Sequence, residues 1–324
     1  MDNLLQVNNL KVEFAMRRGV VQALRDVSFT VGKGERVGLV GESGAGKSLT
    51  GFSIINLIPK PGRISGGNIV FEGTDLASLS IEQIRSIRGN RISMIFQDPM
   101  MTLNPVLTVR TQMVETLRAH RRITDREAEA ICLDKLRKVY IPSPEKRLDQ
   151  YPHEFSGGMR QRIVIAIALL TDPALIIADE PTTALDVTIQ AEIMDLLLEL
   201  CSKEHMGLML ITHDLAVVAE VTQKIAVMYA GRIVEMGPTR EIIDEPLHPY
   251  TRGLIAALPQ AGGIGTGERG RLQQIPGVMP SLKNLPSGCS FHPRCSLCVE
   301  QCRSSVPPLL AQPSGRSVAC FMVR

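Results

Sequence analysis

Gly41-Glu42-Ser43-Gly44-Ala45-Gly46-Lys47-Ser48 fits G-x-x-x-x-G-K-[ST], a spacing that cradles phosphate. Glycines let the backbone fold tightly, so successive N–H groups turn inward on anionic oxygens. Lys47 adds a positive charge for β- and γ-phosphates, and Ser48 offers a hydroxyl to Mg2+. A second group is Leu175-Ile176-Ile177-Ala178-Asp179-Glu180, an apolar run ending in two carboxylates. Side chains alternate along a strand, so the two acids do different work: one holds Mg2+, and the next orients a water against the γ-phosphate. A third is Phe155-Ser156-Gly157-Gly158-Met159-Arg160-Gln161, where a hydroxyl and a glycine pair open the apolar run Ile163 to Leu170. That is another helix-terminus anion site. One nucleotide does not need two such cradles, so this one serves a nucleotide held by another subunit. Taken singly, the acids read as a solvated strand end and Ser156 as an ordinary helix cap. Beside the phosphate loop, the catalytic reading is the stronger.

These groups need strands and helices at particular places. Arg36-Val37-Gly38-Leu39-Val40 predicts a short buried strand running into the loop, and Ser48 to Ile58 a helix stopped by Pro59 and Pro61. Leu4–Val7, Leu10–Phe14 and Val27–Val31 alternate apolar and polar residues, as half-buried strands do. Further strands are expected at Ile92–Phe96, Leu175–Ala178, Leu208–Thr212 and Ile225–Met228. Between about 100 and 160 the pattern turns helical, with Val109 to Arg118 at helical spacing. Thr124-Asp125-Arg126-Glu127 forms a capping box opening a helix to Val139. Strands alternating with helices imply an α/β core with a mostly parallel sheet. After about Pro246 the composition shifts, and residues 259–288, rich in Gly and Pro, predict loops with little sheet or helix. A boundary falls near 245.

Composition excludes several classes. With 44% hydrophobic and 21% charged residues in 324, the chain is globular rather than disordered. A net charge of +3 gives no ground for nucleic acid as a partner. The apolar run Ile163 to Leu170 falls far short of the roughly 20 residues that span a bilayer. No secretory signal pattern opens the chain, so a cytosolic protein is expected, where disulfides are disfavoured.

The motifs in this order resemble the ATP-binding subunits of ABC transporters. The resemblance implies a P-loop NTPase core with an antiparallel β subdomain, a helical insertion and a small loop-rich C-terminal extension. It places a nucleotide-binding domain over 1–245 and the extension over 246–324. The family's nucleotide contacts map to Gly41, Glu42, Ser43, Gly44, Ala45, Gly46, Lys47, Ser48 and Leu49, to Ser156, Gly157 and Gly158, and to Asp179. Its D-loop maps to Ala184-Leu185-Asp186, with Asp186 the nucleotide contact, and its stacking aromatic to Phe14, where Tyr is usual. It makes Glu180 the catalytic carboxylate, His213 the γ-phosphate switch, and Gln97 the link from Mg2+ and the water to the helical insertion. Ser48, Gln97 and Asp179 would hold Mg2+.

Phe96-Gln97-Asp98-Pro99 through Asn104-Pro105 resembles the dipeptide/oligopeptide/nickel importer branch, as does His248-Pro249-Tyr250-Thr251 with the apolar stretch to Leu258. The expected role is an ATPase powering import of di- or oligopeptides at the cytoplasmic face of the cell (inner) membrane. The partners implied are a second ATPase subunit (a paralogue or another copy), two membrane permease subunits and, indirectly, an extracytoplasmic solute-binding protein. Nickel or glycosides are alternative solutes. A soluble ATPase acting on ribosomes or DNA is the competing class, disfavoured by a single cassette and by the absence of sustained heptads.

Five of seven cysteines follow residue 288. Cys289, Cys295, Cys302 and Cys320 match spacings known in this branch, where they resemble iron–sulfur ligands. Four thiolates in a loop-rich segment suit a [4Fe–4S] cluster or tetrahedral zinc, and reduced buried thiols or a disulfide are the alternatives. Cys298 is an additional candidate ligand. Cys132 and Cys201 read as core thiols.

Overall fold

The structure, a computed structural model, describes residues 3–17, 19–183, 185–258, 274–313 and 315–323, without the side chains of Met100 and Met101. The chain forms two compact units. One gathers Met1–Leu5, Val31–Glu35 and Phe71–Leu210; the other gathers Gln6–Thr30, Arg36–Val70 and Ile211–Arg324.

In the second unit the strand Arg36–Val40 pairs in parallel with Lys224–Tyr229, in register from Val37 opposite Lys224 to Val40 opposite Val227. The run Ile225 to Tyr229 is buried on both faces, which is why it reads as continuous apolar sequence. Arg232–Pro238 returns antiparallel beside it, with a bulge between Ile233 and Glu235. Beyond the loops expected over 259–288, which the described residues 274–288 bear out, the extension adds short strands that were not expected: Ser317–Val318 pairs with Arg232–Pro238, and Leu310–Ala311 pairs with Ser317–Val318. Two-residue strands leave too short an alternation to be seen in sequence; they form because an edge already exists to receive them. Helices Pro249–Ala256 and Glu300–Ser304 complete the extension. The expected strands Leu4–Val7 and Leu10–Phe14 are one long strand, Asn3–Met16, and Gly19–Gly32 returns beside it. Joined through so short a connection, neighbouring strands run antiparallel.

In the first unit Ile92–Ile95 and Leu175–Asp179 pair in parallel, Ile92 opposite Leu175 and Ile95 opposite Ala178. Helix Asp125–Lys138 begins at the expected capping box, with Thr124 and Glu127 satisfying each other's backbone N–H. It buries Ala128, Cys132, Lys135 and Leu136, an i, i+4, i+7, i+8 face. That face packs on helix Gly157–Ala168, which in turn packs on Val187–Glu204. Among the described residues no helix is long and apolar enough to cross a membrane.

Candidate functional site

The phosphate loop lies wholly in the second unit. It leaves the buried strand Arg36–Val40 at Gly41, whose φ of 152° places its Cα so that a Cβ would sit 2.3 Å from the Met228 carbonyl oxygen. It ends at Gly46, φ 106°, which caps helix Lys47–Ile54 without any side chain. The first-turn N–H groups therefore face the loop rather than a capping oxygen. The Gly231 N–H donates to the Ala45 carbonyl at 2.8 Å and pins the loop to the turn after Lys224–Tyr229. Lys47 is buried, 5% exposed, and its Nζ donates to the carbonyls of Gly41 at 2.8 Å and Glu42 at 3.1 Å. The ammonium is thus parked on the concave side of its own loop. Ser48 and Leu49 are half-buried at the helix start, and the expected helix stops at Ile54 rather than Ile58.

Two residues far from the phosphate loop in sequence hold it as well. The Glu42 N–H donates to the Tyr250 hydroxyl at 2.9 Å, and both Glu42 carboxylate oxygens accept from Arg294. Sequence reading placed Tyr250 in a His-Pro-Tyr-Thr motif without assigning it a contact. Phe14 packs its ring over Gly62, where a Cβ would fall 2.6 Å from Cε1. His213 is exposed after the strand Gly207–Thr212, just before Asp214 caps helix Leu215–Val221 through two backbone N–H groups.

The carboxylates lie in the first unit. Strand Leu175–Asp179 is buried throughout, with Asp179 2% exposed at its end. Glu180 follows at φ 46°, a left-handed turn that breaks the strand and redirects its side chain. Its Oε2 accepts from Gln97 Nε2 at 3.0 Å and from Thr183 Oγ1 at 3.0 Å. Gln97 and Glu180 were expected to share a site, and the parallel pairing of the strands that precede them brings them together; Thr183 was not foreseen. Ser156 caps helix Gly157–Ala168, accepting weakly from the Met159 N–H at 3.4 Å, and is itself exposed. A Cβ on Gly158 would meet Ile189 Cγ2 at 2.8 Å, and one on Gly157 would meet Leu185 Cδ2 at 3.3 Å. These glycines therefore serve close packing as well as backbone exposure. Asp186 precedes helix Val187–Glu204 and is exposed; Ala184 lies outside the described residues. Phe155 is buried beneath the Arg147 guanidinium, 5.7 Å from its ring centre, which explains an aromatic side chain there.

Cys289, Cys295, Cys302 and Cys320 line one small cavity with His248, His292 and Phe291, whereas Cys298 turns to the Val299 carbonyl. Burial, with the other three thiols nearby, pushes the Cys289 thiol up to about 11. The four thiols suit a soft metal in kind and in facing one cavity. Yet among the described residues no three His, Cys, Asp or Glu side chains are gathered as a metal-holding group. None of the seven cysteines forms a disulfide, and Cys132 and Cys201 are buried as expected.

Two family models match parts of the chain. One, described as "ABC transporter", spans residues 24–183, and the other, described as "Oligopeptide/dipeptide transporter, C-terminal region", spans 234–302. Among curated relatives, the oligopeptide transport ATP-binding protein OppD of Salmonella typhimurium is 48% identical over 98% of this chain and 93% of its own. AppD of Bacillus subtilis, an oligopeptide transport ATP-binding protein, is 46% identical over 99% and 97%. A putative peptide import ATP-binding protein of Brucella melitensis is 50% identical over 98% and 96%. Among solved structures, the dimeric ATP-binding cassette MJ0796 in a post-hydrolysis state with ADP and Pi is similar at 26% identity. Its TM-score is 0.64, over 73% of this chain and 99% of that one.

Proposed function

Because the chain belongs to the ABC transporter family, in the branch of the peptide-import ATP-binding proteins, we propose that it is the ATP-hydrolysing subunit that powers import of di- or oligopeptides through membrane permease partners. The observation that carries this is similarity along nearly the whole chain, extension included, to proteins named for that role.

In this reading Lys47 and the N–H groups of Gly44 to Leu49 receive the β- and γ-phosphates, and Phe14 faces the adenine. Ser48, Asp179 and Gln97 would hold Mg2+, which would neutralise phosphate charge as it develops. Glu180 orients the attacking water. Its hydrogen bonds from Gln97 and Thr183, both on Oε2, support that role by fixing the direction of the carboxylate. His213 contacts the γ-phosphate. Ser156, Gly157 and Gly158, with Asp186, complete the site of a second ATPase subunit. Exposure of Ser156 and Gly157 supports this, since a surface meant for a partner's nucleotide has to be open in the single chain. ATP then closes two subunits on each other, and the helical insertion within 100–160 passes closure to the permeases. We place the subunit at the cytoplasmic face of the membrane, with 1–245 as the nucleotide-binding domain and 246–324 as the extension.

The cysteines of the extension are proposed to hold a [4Fe–4S] cluster, with zinc the alternative, through Cys289, Cys295, Cys302 and Cys320. Bound there, such a group would cross-link a segment with little regular structure of its own. Anaerobic purification should give a brown protein with about four irons per chain; a colourless protein carrying one zinc would replace the cluster with zinc, and a metal-free one would remove both.

The function is tested by purifying the subunit from membranes. Permease subunits and a second ATPase should come with it, and peptide-stimulated ATP hydrolysis should follow reconstitution. A soluble protein that copurifies with ribosomes instead would overturn the assignment.

A further inference from the structure

The loop that meets phosphate is gripped from behind by the C-terminal extension. The Gly41–Glu42 peptide is held at both ends: its carbonyl oxygen accepts from Lys47 Nζ at 2.8 Å, and its N–H donates to the Tyr250 hydroxyl at 2.9 Å. The Glu42 carboxylate lies fork to fork with Arg294, Nη1 to Oε2 at 2.9 Å and Nη2 to Oε1 at 3.1 Å. Paired bonds of this kind fix direction as well as distance.

Neither partner is free to wander. Tyr250 is fully buried, and its backbone N–H donates to His248 Nδ1 at 3.0 Å. His248 is anchored in turn, its N–H donating to the buried carboxylate of Glu235 at 3.0 Å. Arg294 has a side chain only 6% exposed, donates through Nε to the Pro276 carbonyl at 2.8 Å, and lies over the rings of Tyr229 and Phe291. Tyr229, Tyr250 and Phe291 pack edge to face or tilted at 4.7 to 5.4 Å, a rigid floor in a chain with only 4% aromatic residues.

Resting on the reading that residues 41–48 bind the phosphates of ATP, we propose that Tyr250 and Arg294 are positioning residues of the phosphate loop, so that ATP affinity depends on the extension. Two physical effects combine. The clamp removes loop freedom that binding would otherwise have to remove. Arg294 also neutralises Glu42, a carboxylate that would otherwise face incoming phosphate charge.

The test is calorimetric titration of the full-length protein with MgATP. Tyr250→Phe deletes only the hydroxyl and should weaken binding about fivefold, one hydrogen bond's worth. Arg294→Gln should weaken it by about tenfold or more, because it leaves Glu42 charged and unpaired. Adding Glu42→Gln to Arg294→Gln should recover most of that loss, which a purely structural arginine would not allow. In the ATPase assay KM for ATP should rise while kcat at saturation stays within about twofold, the pattern of lost uniform binding. Tyr250→Phe and Arg294→Gln binding MgATP within twofold of wild type, while Lys47→Ala has lost it, overturns the proposal and leaves the loop assignment standing. A wild-type protein that does not bind MgATP overturns the loop assignment itself. Should Arg294→Gln not fold, Tyr250→Phe decides alone.

Discussion

Gln97 Nε2 donates to Glu180 Oε2 at 3.0 Å, across 83 positions of sequence. The two residues follow the adjacent parallel strands Ile92–Ile95 and Leu175–Asp179, so the hydrogen bond follows from strand register rather than from any local motif. It ties the carboxylate proposed to orient water to the residue that leads into the helical insertion. A change at the chemical site and a change at the insertion therefore share one bond.

Replacing Glu180 with Gln keeps the shape and removes the charge. ATP binding should stay within about twofold while kcat falls by about a hundredfold or more, the usual worth of a positioned base. Single-turnover hydrolysis alongside MgATP titration measures both. A kcat near wild type would show that Glu180 does not orient the water.

Gln97→Ala removes one donor on Glu180 and leaves Thr183 in place. The expected result is about a tenfold loss in kcat, near one charge-assisted hydrogen bond, with a smaller change in KM. Transport by the reconstituted complex should fall more than ATP hydrolysis, since the insertion loses its link. Equal losses in both assays would place Gln97 in chemistry alone.

Lys47→Ala should weaken MgATP binding by at least about tenfold, since it deletes a cation from a site built for phosphates. Its Nζ now rests on two carbonyls of the loop, so the variant also leaves those acceptors unpaired in the empty protein. The unfolding midpoint should drop without nucleotide and fail to rise when MgATP is added. An undiminished rise on adding MgATP would count against the loop assignment.

Lys135 sits 5% exposed on the apolar face of helix Asp125–Lys138 and is paired with Asp172, which Arg121 also meets. Burial of Asp172 opposes ionisation, but the bonds from Lys135 and Arg121 outweigh it and hold the carboxyl below its usual value of 3.8. A depressed acid stabilises the fold above its unfolded value, and that contribution is lost as pH falls below about 4 toward the folded value. Asp172→Asn, tolerated at φ 55°, should cost about 1–3 kcal/mol by stranding the buried ammonium, discounted toward the lower end because Asp172 is half in solvent. Urea unfolding at pH 7 and at about pH 2.5 checks it: the difference between wild type and variant should shrink at the lower pH.

How much could be read in advance depended on distance along the chain. The phosphate loop was legible because its glycines, lysine and serine are neighbours, and Gly44 and Gly46 take a positive φ that favours glycine. The capping box at Thr124 and Glu127 was legible for the same reason: three residues apart, each satisfies the other. The carboxylates were legible because an apolar strand must end somewhere, and Asp179 and Glu180 end this one.

What sequence could not supply were the partners brought together by packing. Nothing near Glu42 announces that Tyr250, 208 positions on, takes its N–H, or that Arg294, 252 positions on, takes its carboxylate. Nothing near Lys135 announces Asp172, and nothing in Ser317–Val318 is long enough to declare a strand before Arg232–Pro238 offers it an edge. Local hydrogen bonding and side-chain periodicity are properties of a few consecutive residues, so the order of residues decided them. A hydrogen bond across two hundred residues exists only once the core has set which strands and loops are adjacent, and that was decided by tertiary packing alone.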